Sequence, residues 1–235
     1  LKKSYPDIQP AIRIDSGDLA RLSKIAYRMF IEAGFNDPLI VASNDLDEYL
    51  IADIKRQDAR INAWGVGTHL ITSQDYPALG GVYKLTAVYE PPRWMPKIKV
   101  SSNIEKLTNP GRKTVYRFWN RKEEPIGDML VDALEEKPSA EDIAMYHPLH
   151  LLKKTVLHGV FHAKPLLKQK VRKGKVIGFE EPLESIRKYV REQIGHLTPE
   201  MKRLRNPDRY RVGLSKTLAQ IKRRLIENDG QPENP

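Results

Sequence analysis

The first third of the chain alternates short apolar runs with segments in which apolar residues recur every three or four positions. The runs at 11–14 (AIRI), 38–43 (PLIVAS) and 60–64 (RINAW) predict three buried strands. The spacing at 19–33 and 44–57 predicts amphipathic helices after the first two strands. Strands that alternate with helices in this way pair in parallel, so the pattern predicts an α/β architecture.

Residues that start and stop helices support these predictions. Asp18 fits the N-cap of the first helix and Gly34 fits its end. Ser43 or Asn44 fits the N-cap of the second helix. That helix would bury one face, formed by Leu46, Tyr49, Leu50 and Ile54.

The pattern changes after residue 78. We predict strands at 78–90, 97–101 and 113–120, irregular structure at 121–150, a hairpin about Lys173 and Gly174, and helices at 181–197 and 214–226. In the helix at 181–197 the apolar residues in helical register are Leu183, Ile186, Tyr189, Val190 and Ile194.

Polar residues gather at the ends of the three predicted parallel strands, as DSGD, SNDLDE and GVGT. Parallel α/β sheets bind ligands at the carboxyl ends of their strands. Gly65 and Gly67 would let backbone N–H groups approach an anion, and Thr68 would add a hydroxyl donor. This loop therefore suits a phosphate, although glycines in loops mostly serve turn geometry.

The other two loops carry carboxylates. Asp15 could accept hydrogen bonds from ribose hydroxyls, and Arg13 would share its face of the strand. The alternative is an Arg–Asp pair followed by a helix cap at Asp18. Ser43, Asn44, Asp45 and Asp47 could contact ribose or metal pyrophosphate, or begin a helix. Asp15, Asp18 and Asp45 are candidate ligands of Mg²⁺, which binds one or two carboxylates together with phosphate oxygens.

Charge divides the chain unevenly. Lys and Arg against Asp and Glu number 13 to 12 in residues 1–100 and 27 to 18 in residues 101–235, which gives the net charge of +10. Residues 164–175 are basic without any acid, so nucleic acid, an acidic partner or an anionic substrate could bind this part. The chain has no cysteine and no apolar run long enough to span a membrane, which fits a cytoplasmic location.

Several of these segments, taken in order, resemble the nicotinate phosphoribosyltransferase family. They are IRIDSGDLA, VASNDLDEYLI, GVGTHL, ALGGVYKL, PKIKVSSNIEKLTNPGRKTVYRFW and EPLESIRKYVREQIGHLTPEMKRLRNPDRYRVGLS. The resemblance implies an irregular TIM-type phosphoribosyltransferase barrel, partial here, with a β-rich and helical carboxyl-terminal extension. We accordingly expect residues 1–120 to form the partial barrel and residues 121–235 the extension.

The resemblance also implies an activity. Nicotinate and phosphoribosyl pyrophosphate would give nicotinate mononucleotide and pyrophosphate, with ATP as co-substrate, Mg²⁺ as cofactor and a homodimer as the complete enzyme. Arg13 would lie near nicotinate and the phosphoribosyl group, and Asp15 would face the ribose hydroxyls. The glycine loop would hold the 5′-phosphate. The list of implied substrate-binding residues is Ser16, Gly17, Ser43, Asn44, Asp45, Gly65, Gly67 and Thr68, and the implied metal ligands are Asp15 and Asp45.

Members of this family are longer at the amino end, and the histidine that ATP phosphorylates lies in that part. The chain, which opens without methionine, is therefore expected to be a fragment with little activity alone. None of its histidines matches a family motif, so none receives a catalytic role. The alternatives are a basic nucleic-acid-binding module, a nicotinamide or quinolinate phosphoribosyltransferase, and an inactive partner subunit. A solvated basic surface explains residues 164–175 best, so we expect neither nucleic acid nor membrane as a partner.

Overall fold

The three strands predicted in the first third form one parallel sheet in the computed structural model, which describes residues 9–101, 103, 106–178 and 181–229. β2 lies between β1 and β3, and both pairings are parallel. The predicted α/β pattern is confirmed for these elements. Their bounds are β1 Ala11–Ile14, α1 Leu19–Glu32, β2 Leu39–Ser43, α2 Glu48–Arg56, β3 Ala63–Gly65 and α3 Thr68–Ile71.

The helix ends confirm one predicted cap and correct another. Asp18 caps α1 because its Oδ1 accepts the Arg21 N–H at 2.9 Å, and Gly34 follows the helix with φ +83°. The N-cap of α2 is Asp47, whose Oδ1 accepts the Leu50 N–H. The predicted caps Ser43 and Asn44 are therefore wrong, because the chain runs on through a loop before α2 begins.

The core of this region lies on one side of the sheet. It consists of Ile14, Leu19, Ala20, Ala26, Ile40, Ala42, Leu46 and Ile54. The predicted buried face of α2 is only half right, since Tyr49 and Leu50 are 36% and 40% exposed. Because α2 begins at Glu48, Leu46 belongs to the preceding loop, and Ile51 packs beside Ile54 instead.

A six-stranded sheet organises the rest of the chain, in the order β10-β6-β7-β13-β8-β9. β13 pairs in parallel with β7, and the other neighbours are antiparallel. The strands are β6 Lys113–Trp119, β7 Pro125–Asp132, β8 Ile143–Tyr146, β9 Lys154–Leu157, β10 His162–Pro165 and β13 Val212–Leu214. Two separate hairpins are β4 Ala87–Glu90 with β5 Arg93–Pro96, and β11 Val171–Arg172 with β12 Lys175–Val176.

The six-stranded sheet must curl strongly. β9 and β10 lie at opposite edges, yet residues 158–161 alone join them. A flat sheet would separate these edges by about 24 Å, whereas the link spans at most about 18 Å. A Cβ built on Gly127 of β7 would lie 2.9 Å from Leu157 Cδ1 of β9, three strands away. The curled face encloses a core that includes Phe118, Met129 and Met145.

Two helices accompany this sheet. α5 (Lys216–Asp229) packs Leu218 and Ala219 beside Leu214 of β13. The helix predicted at 214–226 therefore starts too early, because Leu214 belongs to a strand. The other helix, α4 (Leu183–His196), confirms the helix predicted at 181–197. The five apolar residues in helical register are 44–68% exposed.

Three predictions of strand content need correction. Residues 121–150 contain β7 and β8, although we predicted irregular structure. Of the strand predicted at 78–90 only Ala87–Glu90 is present, and 97–101 includes no strand among its residues. Lys97 instead donates its N–H to the carbonyl of Thr86, and Lys99 donates to the hydroxyl of Thr108.

The chain divides into two compact units, Leu1–Gly81 and Val82–Pro235. The predicted boundary lay at residue 120. The division falls earlier because β6 pairs with β7 and β10 in the second unit, so residues 113–119 cannot belong to the first. The first unit is thus the smaller one, and its described part is built from the three-stranded parallel sheet.

Candidate active site

The three polar loops leave the first unit's sheet at a single edge. Ile14 lies opposite Ala42, and Ser43 lies opposite Gly65, so the three strands end in register. Adjacent strands are about 4.8 Å apart, which places the loop after β1 about 10 Å from the loop after β3. The structure therefore brings together the three loops that the sequence picked out separately.

Arg13 and Asp15 form an ion pair at this edge. Arg13 Nη2 lies 3.2 Å from Asp15 Oδ2, and the side chains are 66% and 55% exposed. Ile14 between them points into the core. The pair therefore lies on the sheet face that α1 does not cover, where both groups remain accessible to a ligand.

The rest of the first loop shapes the turn into α1. Gly17 has φ +76°, a conformation that favours glycine. A Cβ there would lie 3.2 Å from Leu22 Cδ1. Asp18 Oδ1 accepts the Arg21 N–H, so the predicted role of Asp18 as a helix cap is confirmed. Ser16 is exposed between Asp15 and Gly17.

The second loop contains a strained backbone and a buried hydroxyl. Asn44 and Asp45 both have positive φ, at 91° and 37°. Neither serves as the cap of α2, which leaves their side chains for another role. Ser43 Oγ is buried and has no hydrogen-bond partner among the described residues. A buried polar atom of this kind calls for a bound water or ligand.

The third loop exposes backbone rather than side chains. Gly67 occupies the N-cap position of α3, a helix of only four residues. A Cβ at Gly67 would meet nothing within 4 Å, whereas one at Gly65 would lie 3.3 Å from Ser43 Cβ. Gly65 thus packs the second and third loops together, and Gly67 with the exposed Thr68 offers open N–H groups.

The suggested Mg²⁺ ligands, Asp15 and Asp45, lie on loops that follow two neighbouring strands. In the ranges that the structure describes, no three His, Cys, Asp or Glu side chains converge as a metal site. Mg²⁺ bound to a pyrophosphate would need only one or two carboxylates. Asp15 and Asp45 stand on loops that follow neighbouring strands, so they suit this mode and not a cage built wholly from protein.

Sequence reasoning overlooked two residues at this edge. Val41 and Ala63 lie in register with Arg13 and are only partly buried, so they line the same open face. The register could have revealed them, since each lies two positions before the end of its strand. Both are apolar residues that neighbour Arg13 across the sheet.

Comparison with known proteins finds one family domain and several similar sequences. Residues 112–222 match the nicotinate phosphoribosyltransferase C-terminal domain. Nicotinate phosphoribosyltransferase of Bacillus subtilis is 45% identical over 207 residues, which are 87% of this chain and 42% of that protein. The human enzyme is 34% identical over 218 residues, 88% of this chain and 39% of its own length. The chain is thus similar to the nicotinate phosphoribosyltransferases over most of its own length.

A solved structure of the same family agrees. The crystal structure of human nicotinic acid phosphoribosyltransferase aligns with a TM-score of 0.65 and 26% identity, covering 92% of this chain and 40% of that one. The resemblance predicted from the motifs is therefore confirmed. The chain spans about two fifths of the length of the nicotinate phosphoribosyltransferases it matches.

The family match and the candidate site occupy different parts of the chain. The matched C-terminal domain, 112–222, lies wholly in the second unit, and the three loops lie in the first. The domain match therefore does not include the three loops. Similarity to nicotinate phosphoribosyltransferases in the first unit comes from the longer alignments, which cover 87% and 88% of the chain.

No helix in the described ranges is both long and apolar enough to cross a membrane.

Proposed function

We propose that this chain supplies the phosphoribosyl-binding part of a nicotinate phosphoribosyltransferase. The reaction joins nicotinate to phosphoribosyl pyrophosphate and gives nicotinate mononucleotide and pyrophosphate, a step of NAD salvage in the cytoplasm. ATP is the co-substrate, and the complete enzyme is a homodimer. The names of the relatives support the reaction, and the meeting of three polar loops at one sheet edge supports the site.

The loops divide the work by chemistry. The N–H groups of Gly67 and Thr68 bind the 5′-phosphate, because both residues are exposed and a Cβ on Gly67 would meet nothing within 4 Å. Asp15 accepts hydrogen bonds from ribose hydroxyls, since a carboxylate only accepts. Arg13 lies beside Asp15 on the open face, where its flat guanidinium stacks on nicotinate or binds the departing pyrophosphate.

Displacement at the anomeric carbon passes through a cation-like transition state, so positioning and fixed charge supply most of the catalysis. Binding energy from the phosphate and hydroxyls orients the reacting carbon. Mg²⁺, held through Asp15 and Asp45 together with phosphate oxygens, would neutralise charge on the pyrophosphate. Ser43 offers its buried hydroxyl to the ligand or to a water that bridges to it.

Titration calorimetry with phosphoribosyl pyrophosphate and Mg²⁺ tests the glycine loop. Gly67→Val places a side chain over the N–H groups, and we expect at least tenfold weaker binding. Gly80→Val is the matched control, because a Cβ at Gly80 also meets nothing within 4 Å. Equal affinities of the two variants, or no binding by the unchanged chain, would contradict the proposal.

Asp15→Ala tests the ribose contact with ribose 5-phosphate as the probe. We expect at least tenfold weaker binding with an unchanged unfolding curve, because the Arg13–Asp15 pair is exposed. Asp53→Ala is the control, since it removes the similarly exposed pair of Asp53 with Arg56, away from the strand ends. Asp15 does not bind ribose if both variants retain full affinity.

A further inference from the structure

A cavity of about 330 Å³ lies wholly within the second unit. It opens between the β4–β5 hairpin, the end of β7 and the first turns of α5. We call it the hairpin cavity. Its size falls at the lower end of the range for small-molecule sites, which suits a ligand with few heavy atoms.

One side of the hairpin cavity is apolar. Trp94 and Pro96 come from β5, and Ile221 faces them from α5. Leu134 follows β7 at the rim and is 85% exposed. An apolar or aromatic group of a ligand would remove these surfaces from water, which favours its binding.

Two carboxylates in the lining are held in place by hydrogen bonds. Glu135 Oε1 accepts the Asp132 N–H at 2.8 Å and the Ser215 hydroxyl at 2.6 Å. Asp132 Oδ1 accepts the Leu134 N–H at 2.9 Å. Each carboxylate thus uses one oxygen to hold its own position. The second oxygens have no hydrogen-bond donor in the described part of the chain, so a ligand can donate to them. A ligand would share the charge of Asp132 with the Lys113 ammonium group, which interacts with it.

The cavity also holds a cation that does not neutralise these acids. The Arg112 guanidinium lies 4.9 Å from the centre of the Trp94 ring, and no carboxylate lies within ion-pair distance of it among the described residues. Thr217, in the first turn of α5, adds a hydroxyl and lies at the positive end of the helix. Positive and negative groups are therefore both present and both available.

We propose that the hairpin cavity binds a small zwitterion, an α-amino acid with an apolar side chain. Its ammonium group would bind Asp132 and Glu135, its carboxylate would bind Arg112, and its side chain would pack on Trp94 and Ile221. A simple amine would leave the guanidinium unpaired, and a simple acid would face two carboxylates. The site lies outside the three loops and does not depend on the proposed reaction.

Calorimetry on the full chain separates these possibilities with three probes. L-Phenylalanine carries both charges, phenethylamine lacks the carboxylate, and 3-phenylpropionate lacks the ammonium group. We expect phenylalanine to bind at least tenfold more tightly than either of the other two. No detectable binding of phenylalanine, or equal binding of one of the analogues, would overturn the proposal without any variant being needed.

Charge-removing variants then locate the site. Arg112→Gln and Asp132→Asn should each weaken phenylalanine binding at least tenfold, with the far-ultraviolet spectrum unchanged. Arg121→Gln is the matched control, since Arg121 also lies over an aromatic ring, that of Phe161 at 5.2 Å, but outside the cavity. The proposal would also be overturned if Arg121→Gln weakened phenylalanine binding as much as Arg112→Gln does.

Discussion

Arg13–Asp15 in the first unit and Arg117–Asp128 in the second are both arginine–aspartate pairs, but they lie in opposite surroundings. In the first unit, Arg13 and Asp15 meet through a single contact of 3.2 Å and are mostly exposed. In the second, Arg117 binds Asp128 through two contacts of 2.9 Å, and the side chains are 23% and 12% exposed. The same residue types therefore serve different purposes.

The buried pair is part of a closed network. Tyr210 donates its hydroxyl to Asp128 at 2.7 Å, and Gln193 of α4 accepts from Arg117 at 3.4 Å. The hydrogen bond with Asp128 raises the pKa of Arg117, and burial raises the pKa of Tyr210. Every group is satisfied by protein, so this pair stabilises the fold. The exposed pair contributes little stability and remains accessible to a ligand.

Removing each aspartate in turn tests the difference between the two pairs, and Asp128→Ala has the largest expected effect on stability. Asp128→Ala leaves Arg117 charged in a half-buried position and takes the acceptor from Tyr210. We expect the free energy of unfolding to fall by about 3 kcal/mol. Asp15→Ala should cost about 0.5 kcal/mol or less. Urea unfolding of both variants measures the difference, and similar losses would show that exposure does not separate the two pairs.

The difference between the units also explains which parts of the fold the sequence could predict. In the first unit, the spacing of apolar residues within each segment identifies it as a strand or a helix. Residues such as Asp18 and Gly34 mark where a helix begins and ends. Parallel pairing then follows from the order of the elements. Local patterns therefore predicted β1, α1 and β2 nearly to the residue, and they placed the three loops at one edge.

The second unit depends on contacts that no local pattern reveals. β7 begins at Pro125 and contains Gly127, residues typical of loops, and 121–150 was wrongly expected to be irregular. Gly127 is required because Leu157 packs against it from β9. The hairpin cavity escaped prediction for the same reason, since Trp94, Arg112 and Asp132 come from three separate segments. The binding roles of Asp15 and Gly67 stay predictions.

A glycine in the second unit provides the next test. A Cβ on Gly213 of β13 would lie 2.5 Å from Met145 Cβ and 3.2 Å from the Tyr146 carbonyl oxygen. Gly213→Ala must therefore move a central strand, and we expect a loss of about 2 to 3 kcal/mol. Gly195→Ala in α4 is the control, since its Cβ meets nothing within 4 Å and alanine favours a helix. Thermal unfolding should show a lower Tm for Gly213→Ala alone.

Lys222 gives the smallest effect and the one that depends on pH. Its side chain is buried in α5, where Nζ donates to Asn109 Oδ1 and to the Pro148 carbonyl, both at 2.8 Å. Burial lowers the pKa of Lys222 to about 8. The unfolded chain, with an ordinary lysine pKa near 10.5, then binds more protons between these two values. Stability contributed by this group should therefore rise as the pH rises from 8 towards 10.5.

Lys222→Met isolates this contribution, because the variant keeps an unbranched side chain as long as the aliphatic part of lysine and loses the titrating group. Between pH 7 and pH 10 we expect the free energy of unfolding of the unchanged chain to gain about 2 kcal/mol relative to Lys222→Met. Urea unfolding at several pH values measures the gap. Lys216→Met is the control, since Lys216 begins the same helix but is exposed, and its curve should run parallel to that of the unchanged chain. The prediction fails if the free energy of unfolding of Lys222→Met also runs parallel to that of the unchanged chain across this pH range. In that case the two carbonyl-type acceptors solvate the buried ammonium ion as well as water does.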